Sequence, residues 1–253
     1  KKYDLVIDIQ NLIKSAIVAR VIPSDQTIGL DRYSSRESLA SIFYSQRYAI
    51  DHSLNIINRN TSIINKALNI NITSDDVDRK KPFLFFEIYS WDDCISKHIP
   101  NILLVPGASF KSKMYPLDKY AKISNKIKGN FIILWGSQSE RLIAEKIKLL
   151  SPEVFIVNKL SLDKLKALIS KVDLVIGSDT GPVHMAWALN KASITLYGPT
   201  PGYRNSYITN INRVIESNSK VNPYKIDKND CSIKEIQVED IVEVSESLLD
   251  ISE

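Results

Sequence analysis

The sequence predicts an α/β protein built on parallel sheets, and three features predict it. From residue 101 onward, short apolar runs alternate with amphipathic stretches of helical length. One such unit, Asp173 to Leu189, joins its apolar run to a helix through a loop of small and polar residues. A similar run, Asp4-Leu5-Val6-Ile7-Asp8, stands at the start and leads into another helical stretch. Repeated strand–helix units make right-handed crossovers, and the resulting sheets bind ligands at the carboxyl ends of their strands.

The first third reads as a strand over 4–8, a helix over 10–20 and a short strand over 28–30. Helices follow over 37–48 and 51–70, the second carrying Leu54, Ile57, Ile64 and Leu68 at helical spacing. Residues 74–82 are charged and read as a solvated loop. Asp76-Val77-Asp78 within it spells D-x-D, a pattern that can hold a metal-bound nucleotide, but it closes no strand. Residues 83–88 read as an edge strand. Strands are then expected over 102–106, 131–136, 154–157, 174–177 and 193–198, and helices over 117–127, 139–150, 162–171, 182–190 and 237–249.

Composition limits the function. The 253 residues are 44% hydrophobic and 25% charged, enough for one large domain or two small ones. A formal charge of +4 permits an acidic substrate and gives no footprint for nucleic acid. No apolar run reaches membrane-spanning length, and the opening Lys1-Lys2-Tyr3-Asp4 is no signal peptide. Cys94 and Cys231 form no redox or metal motif, so a reducing compartment is the default. His52 and His98 lack metal-ligand spacing. With no G-x-x-x-x-G-K-[ST] and no G-x-G-x-x-G, neither a P-loop NTPase nor a dehydrogenase is expected.

Three loops beyond strand ends carry the candidate chemistry. In the first, 106–116, Ser109 can donate to a phosphate oxygen and Lys113 can supply a point charge; the alternative is a solvated basic loop. In the second, Gly136-Ser137-Gln138-Ser139-Glu140, Glu140 suits a helix's first turn and could also accept from a ribose diol. In the third, Thr180 reads as an N-cap and Pro182 as a first-turn residue. Gly181 would let a phosphate approach the backbone at the positive end of the helix. Asp179 would repel a phosphate, so it braces the loop or accepts from a sugar hydroxyl. His184, one turn in, is either a satisfied core residue or a ligand contact. Together the loops describe a nucleotide diphosphate site.

Several segments resemble the bacterial lipopolysaccharide heptosyltransferases. Gly177-Ser178-Asp179-Thr180-Gly181-Pro182-Val183-His184 and Tyr197-Gly198-Pro199-Thr200 are similar to the family's D-T-G-x-x-H and Y-G-P-T signatures. Residues 3–15 (YDLVIDIQNLIKS) and 35–44 (SRESLASIFY) resemble segments of its heptosyltransferase I branch. The resemblance implies a GT-B architecture of two Rossmann-like domains with parallel sheets and the active site in a cleft. Residues 1–95 would be the remainder of an N-terminal acceptor-binding domain, and 96–253 a C-terminal nucleotide-sugar-binding domain.

It further implies inverting, metal-independent transfer of L-glycero-D-manno-heptose from ADP-heptose to Kdo of Kdo2-lipid A, without a cofactor. The work would be done in the cytoplasm, at the inner face of the inner membrane. Ser109, Lys113, Glu140, Asp179, Thr180, Gly181 and His184 fall on the family's donor site, Leu160 falls where the adenine is met, and Lys14 and Arg36 fall where an acidic acceptor could be faced. Departures are Ala108 for a hydroxyl residue, Pro182 for Leu, Asn11 for Gly and Asn55 for His. The family's general base, an Asp in a glycine-containing loop, precedes the segment matched by residues 3–15 and has no counterpart here; Asp8 falls beside it as a structural neighbour. The opening Lys1 and the abrupt first strand are expected of an N-terminal domain lacking part of its sheet. The alternatives are a fragment that binds ADP or ADP-heptose without transfer, and a GT-B enzyme for another nucleotide sugar.

Overall fold

The computed structural model describes residues 1–91, 93–222 and 226–250. The chain divides into two units, Lys1–Lys80 and Lys81–Glu253. The sequence placed the division after residue 95. It falls earlier because Leu84, Phe86, Trp91, Cys94 and Ile95 pack into the core of the second unit.

The first unit holds a parallel sheet of three strands, β1 (Tyr3–Ile7), β2 (Ser24–Leu30) and β3 (Gln46–Tyr48), in that order. Helix α1 (Ile13–Val21) joins the first two. The turn between β1 and α1 is built on Asp8, whose carboxylate accepts from Gln10 N at 2.9 Å, Asn11 N at 3.1 Å, Ser15 Oγ at 2.7 Å and Tyr44 OH at 2.7 Å. That turn occupies residues expected to be helical from Gln10. Asn11 has φ 54°, a left-handed conformation that Asn tolerates better than most residues. Its side chain also accepts from Leu30 N at 2.7 Å, which gives a physical reason for Asn at this position.

The single helix expected over 37–48 is instead a 3₁₀ turn, Ser38–Phe43, followed by β3. Ser45 decides this. Its Oγ accepts from Thr27 N at 2.8 Å and its N–H donates to Thr27 O at 2.8 Å, so the edge of β2 takes the segment into the sheet. Helix α2 (Ile56–Leu68) starts later than expected, after Asn55 caps it by accepting from Ile57 N. The charged stretch contains one short helix, α3 (Ser74–Asp78), where a loop was expected. Asp76 closes its capping box, accepting from Thr73 N at 2.8 Å and Thr73 Oγ1 at 2.7 Å, so its carboxylate is occupied locally.

Residues 83–88, expected as an edge strand, form no strand. Their backbone is held by Ala188 O, which accepts from Phe83 N, and by Asp163 Oδ2, which accepts from Glu87 N. The second unit is otherwise a doubly wound fold. In chain order it runs β4 (Asn101–Val105), α4 (Leu117–Lys126), β5 (Asn130–Ile133), α5 (Gln138–Leu150), β6 (Phe155–Ile156), α6 (Leu162–Ile169), β7 (Leu174–Ser178), α7 (Gly181–Ala188), β8 (Ala192–Tyr197), α8 (Gly202–Asn205), β9 (Asn212–Glu216) and α9 (Val238–Asp250).

The described strands form one parallel sheet in the order β6-β5-β4-β7-β8-β9. Ile102, Leu104, Ile133, Leu174 and Ile176 face one core layer with α4, α5 and α9, and Leu103, Val105, Ile132 and Val175 face the other with α6 and α7. Burial on both faces explains why these strands read as continuous apolar runs. Strand order reverses between β4 and β7, which stay paired as far as Val105 and Gly177; the loops that follow them leave toward opposite faces of the sheet and open a crevice, the usual ligand position in such sheets.

Candidate functional site

A cavity of about 470 Å³ opens at that crevice. Gly107, Ala108 and Ser109 line it from the loop after β4, and Leu134, Trp135, Gly136 and Glu140 from the end of β5 and the start of α5. Leu160 and Leu165 contribute from the far side, and Asp179, Thr180, Gly181 and Pro182 from the loop after β7. Six of the sequence-derived donor residues thus share one wall-to-wall space: Ser109, Glu140, Leu160, Asp179, Thr180 and Gly181. Lys113 and His184 are bound to it through Asp179.

The entry to α7 is the most constrained part. Thr180 is the N-cap, as expected, but its Oγ1 donates to Ser178 O at 3.2 Å and makes no side-chain cap to the helix. No capping side chain therefore covers the first-turn amides. A Cβ built on Gly181 would meet nothing within 4 Å, so the space in front of the helix start is open. Pro182 has no N–H and His184 N donates to Thr180 O at 3.3 Å, so the amides left at the helix start are those of Gly181 and Val183, which together with the helix dipole favour an anion there.

Asp179 holds three partners. Its Oδ2 accepts from the Lys113 ammonium at 2.6 Å, and its Oδ1 lies 3.0 Å from His184 Nε2 and accepts from Tyr197 OH at 3.2 Å. Burial alone would raise its pKa, but the His184 hydrogen bond and the Lys113 charge outweigh burial and hold the carboxyl well below its ordinary range. Of the two roles open to Asp179 from the sequence, the structure shows the brace. Lys113, brought in by a 3₁₀ turn at Lys111–Lys113, is oriented rather than loose in solvent. His184 is half exposed and bonded to Asp179, so it is not a core histidine.

Glu140 has a local role as well. Its Oε2 accepts from Gly136 N at 2.7 Å and Ser137 N at 3.1 Å, while Ser137 Oγ accepts from Glu140 N at 3.3 Å. This capping box fixes the carboxylate in the cavity wall. Gly107 allows it: a Cβ there would lie 2.4 Å from Glu140 Oε1.

Two residues of this region were not singled out from the sequence. Trp135 stands in the wall, its indole N–H donating to Val157 O at 2.6 Å and its ring 5.3 Å from the Arg141 guanidinium. Its signal was an aromatic residue at the carboxyl end of an apolar run, the place where sheet ligands are met. Tyr197, already within the Y-G-P-T segment, is the third partner of Asp179. Lys14 and Arg36 lie in the first unit and are exposed. Glu37 Oε2 accepts from Ile13 N at 2.7 Å, which brings the chain at Arg36 beside the chain at Lys14. No described helix is long and apolar enough to cross a membrane.

Two units with parallel sheets, one doubly wound with an anion-ready cavity at its point of strand reversal, define the GT-B class of fold. The match of residues 1–236 to the family model for glycosyltransferase family 9 (heptosyltransferase) makes the assignment particular: this chain belongs to that family. It is 34% identical to lipopolysaccharide heptosyltransferase 1 of Campylobacter coli, over 97% of this chain and 76% of that protein. It is 28% identical to the Pseudomonas aeruginosa protein of the same name, over 81% of this chain and only 57% of that one. Among solved structures, E. coli heptosyltransferase WaaC with ADP aligns over 98% of this chain and 73% of its own, with a TM-score of 0.76 at 20% identity. A family 9 glycosyl transferase from Veillonella parvula aligns with a TM-score of 0.77 at 17% identity, over 98% of this chain and 74% of its own.

Proposed function

We propose that the chain transfers L-glycero-D-manno-heptose from ADP-heptose to Kdo of Kdo2-lipid A in lipopolysaccharide inner-core assembly. The observation that carries this is the uncapped start of α7, open in front of Gly181, with the Lys113–Asp179 pair alongside. The named relatives are lipopolysaccharide heptosyltransferases, and one WaaC structure holds ADP-2-deoxy-2-fluoro heptose.

In this reading the second unit is the donor domain. The diphosphate lies at the α7 amides, with Ser109 donating to it and Lys113 turning from Asp179 toward it. Glu140 accepts from the ribose hydroxyls through lone pairs its capping bonds leave free. Leu160 and the Trp135 ring give the adenine an apolar wall. Transfer is a single displacement at the anomeric carbon with inversion and without a metal. Negative charge grows on the departing ADP, and preorganised donors aimed at it stabilise the transition state more than the ground state.

The first unit is the acceptor domain, with Lys14 and Arg36 facing the acidic sugar from neighbouring positions. The acceptor is a lipid, so the protein would meet the cytoplasmic face of the inner membrane as a peripheral visitor.

A second reading, binding of ADP or ADP-heptose without transfer, is supported by the state of the carboxylates. Asp8 already accepts from four donors and Asp31 from Tyr33 N and Ser34 N, so neither is poised as a general base. Incubation with ADP-heptose and Kdo2-lipid A, followed by mass spectrometry of the lipid, separates the readings. Addition of one heptose supports transfer. ADP binding by calorimetry with unmodified lipid supports the second reading, and preference for a UDP sugar overturns both.

A further inference from the structure

We infer that Tyr197 is a positioning residue for the donor site, acting with Ser206 through Asp179. The inference rests on the donor-site reading above and adds to it the residues that hold the brace in place.

Register puts the tyrosine there. Ser178 pairs with Leu196 across β7 and β8, so the next residues out, Asp179 and Tyr197, lie side by side at the carboxyl edge. The Tyr197 ring is 1% exposed and its hydroxyl reaches Asp179 Oδ1 at 3.2 Å and Ser206 Oγ at 2.8 Å. A phenol has one hydrogen, which Asp179 receives, so the Ser206 hydroxyl donates to the Tyr197 oxygen. Burial first, then the negative charge of Asp179, push the phenol far above its ordinary pKa, and it remains a donor at any working pH.

The far end of this relay is anchored as well. Gly202 N donates to Glu216 Oε1 at 2.6 Å, and a Cβ on Gly202 would lie 2.9 Å from Tyr197 Cδ2. The start of α8 is therefore laid directly over the tyrosine ring, and Ser206 follows at its end. Oδ1 carries both Tyr197 and His184, while Oδ2 carries Lys113. A carboxylate held at one oxygen by a buried phenol cannot rotate freely, so before ADP arrives it holds the histidine and the lysine in fixed directions, and the ammonium starts from there when it turns to the diphosphate. Lost orientation costs binding even where every contacting group remains.

The test is a double-mutant cycle in ADP affinity, using Tyr197→Phe, Asp179→Asn and the pair. Phe keeps the ring and loses only the hydroxyl. In the native background Tyr197→Phe should weaken ADP binding roughly three- to tenfold, and in the Asp179→Asn background it should change nothing further. Equal losses in both backgrounds, or none in the first, would overturn the inference.

If the native chain binds no ADP, the donor-site reading fails, and acid unfolding decides on the tyrosine instead. The groups facing Asp179 are Lys113, His184 and Tyr197, and Glu216 faces Tyr197 in turn. Removing the phenol's hydrogen bond raises the carboxyl's pKa in the folded state. Tyr197→Phe should therefore move the acid midpoint to higher pH in the native background and leave it in place in the Asp179→Asn background. The same shift in both contradicts the relay.

Discussion

The ammonium of Lys113 lies 2.6 Å from Oδ2 of Asp179, and the two side chains are only 13% and 12% exposed. The lysine comes from the loop after β4 and the aspartate from the loop after β7, so the pair spans the crevice where strand order reverses. It is placed to neutralise the aspartate beside the α7 amides and to meet a diphosphate arriving there.

Removing the ammonium tests that role. Lys113→Ala should weaken ADP binding by about 1.5–3 kcal/mol, the range for hydrogen bonds that involve a charged group. Calorimetry measures it, and unchanged affinity would place the lysine outside the contact.

Glu140→Gln keeps a side chain that can serve in a capping box, so the melting temperature should hardly move. ADP affinity should fall while pyrophosphate affinity stays, because only ADP carries the ribose. Equal losses for the two ligands would show that Glu140 does not read the sugar.

Gly181→Ala adds a methyl group where nothing lies within 4 Å. The fold should tolerate it and the helix start should gain slightly, since Ala is the better helix former. ADP affinity should drop because the methyl occupies the space of the approaching phosphate. Full retention of affinity would move the phosphate elsewhere.

Acid titration examines the brace itself. The pKa of Asp179 is lowered from 3.8 in the folded protein. Its ionised form therefore contributes stability that is fully present above about pH 4 and is lost as pH falls below that value toward the folded pKa. Asp179→Asn should be less stable than the native chain at about pH 6, and the gap should narrow between about pH 4 and about pH 2. A gap independent of pH would mean that the carboxylate's charge contributes nothing.

What could be read from the sequence followed burial. Strands covered on both faces are apolar runs: the one expected over 174–177 is Leu174–Ser178, whereas the one expected over 131–136 ends three residues earlier, as Asn130–Ile133. The edge strand Asn212–Glu216, with only Asn212 fully buried, showed no such run and was missed. Residues 37–48 carry apolar positions at helical spacing, yet only Ser38–Phe43 form a 3₁₀ turn, and hydrogen bonds between Ser45 and Thr27 draw the last three residues, Gln46–Tyr48, into a strand. The donor loops were legible because each follows a strand end. The Lys113–Asp179 pair was not, since nothing local links residues so far apart in the chain. The partnership of Tyr197 with Asp179 needed the register of two neighbouring strands, which no spacing within either strand reveals.

A crystal structure with ADP tests most directly whether a diphosphate is held at the start of α7. Phosphate oxygens should lie in front of the Gly181 amide with the Lys113 ammonium turned onto them, and the ribose should lie toward Glu140. ADP bound away from that cavity, or bound with its phosphates in solvent and Lys113 still on Asp179, would contradict it.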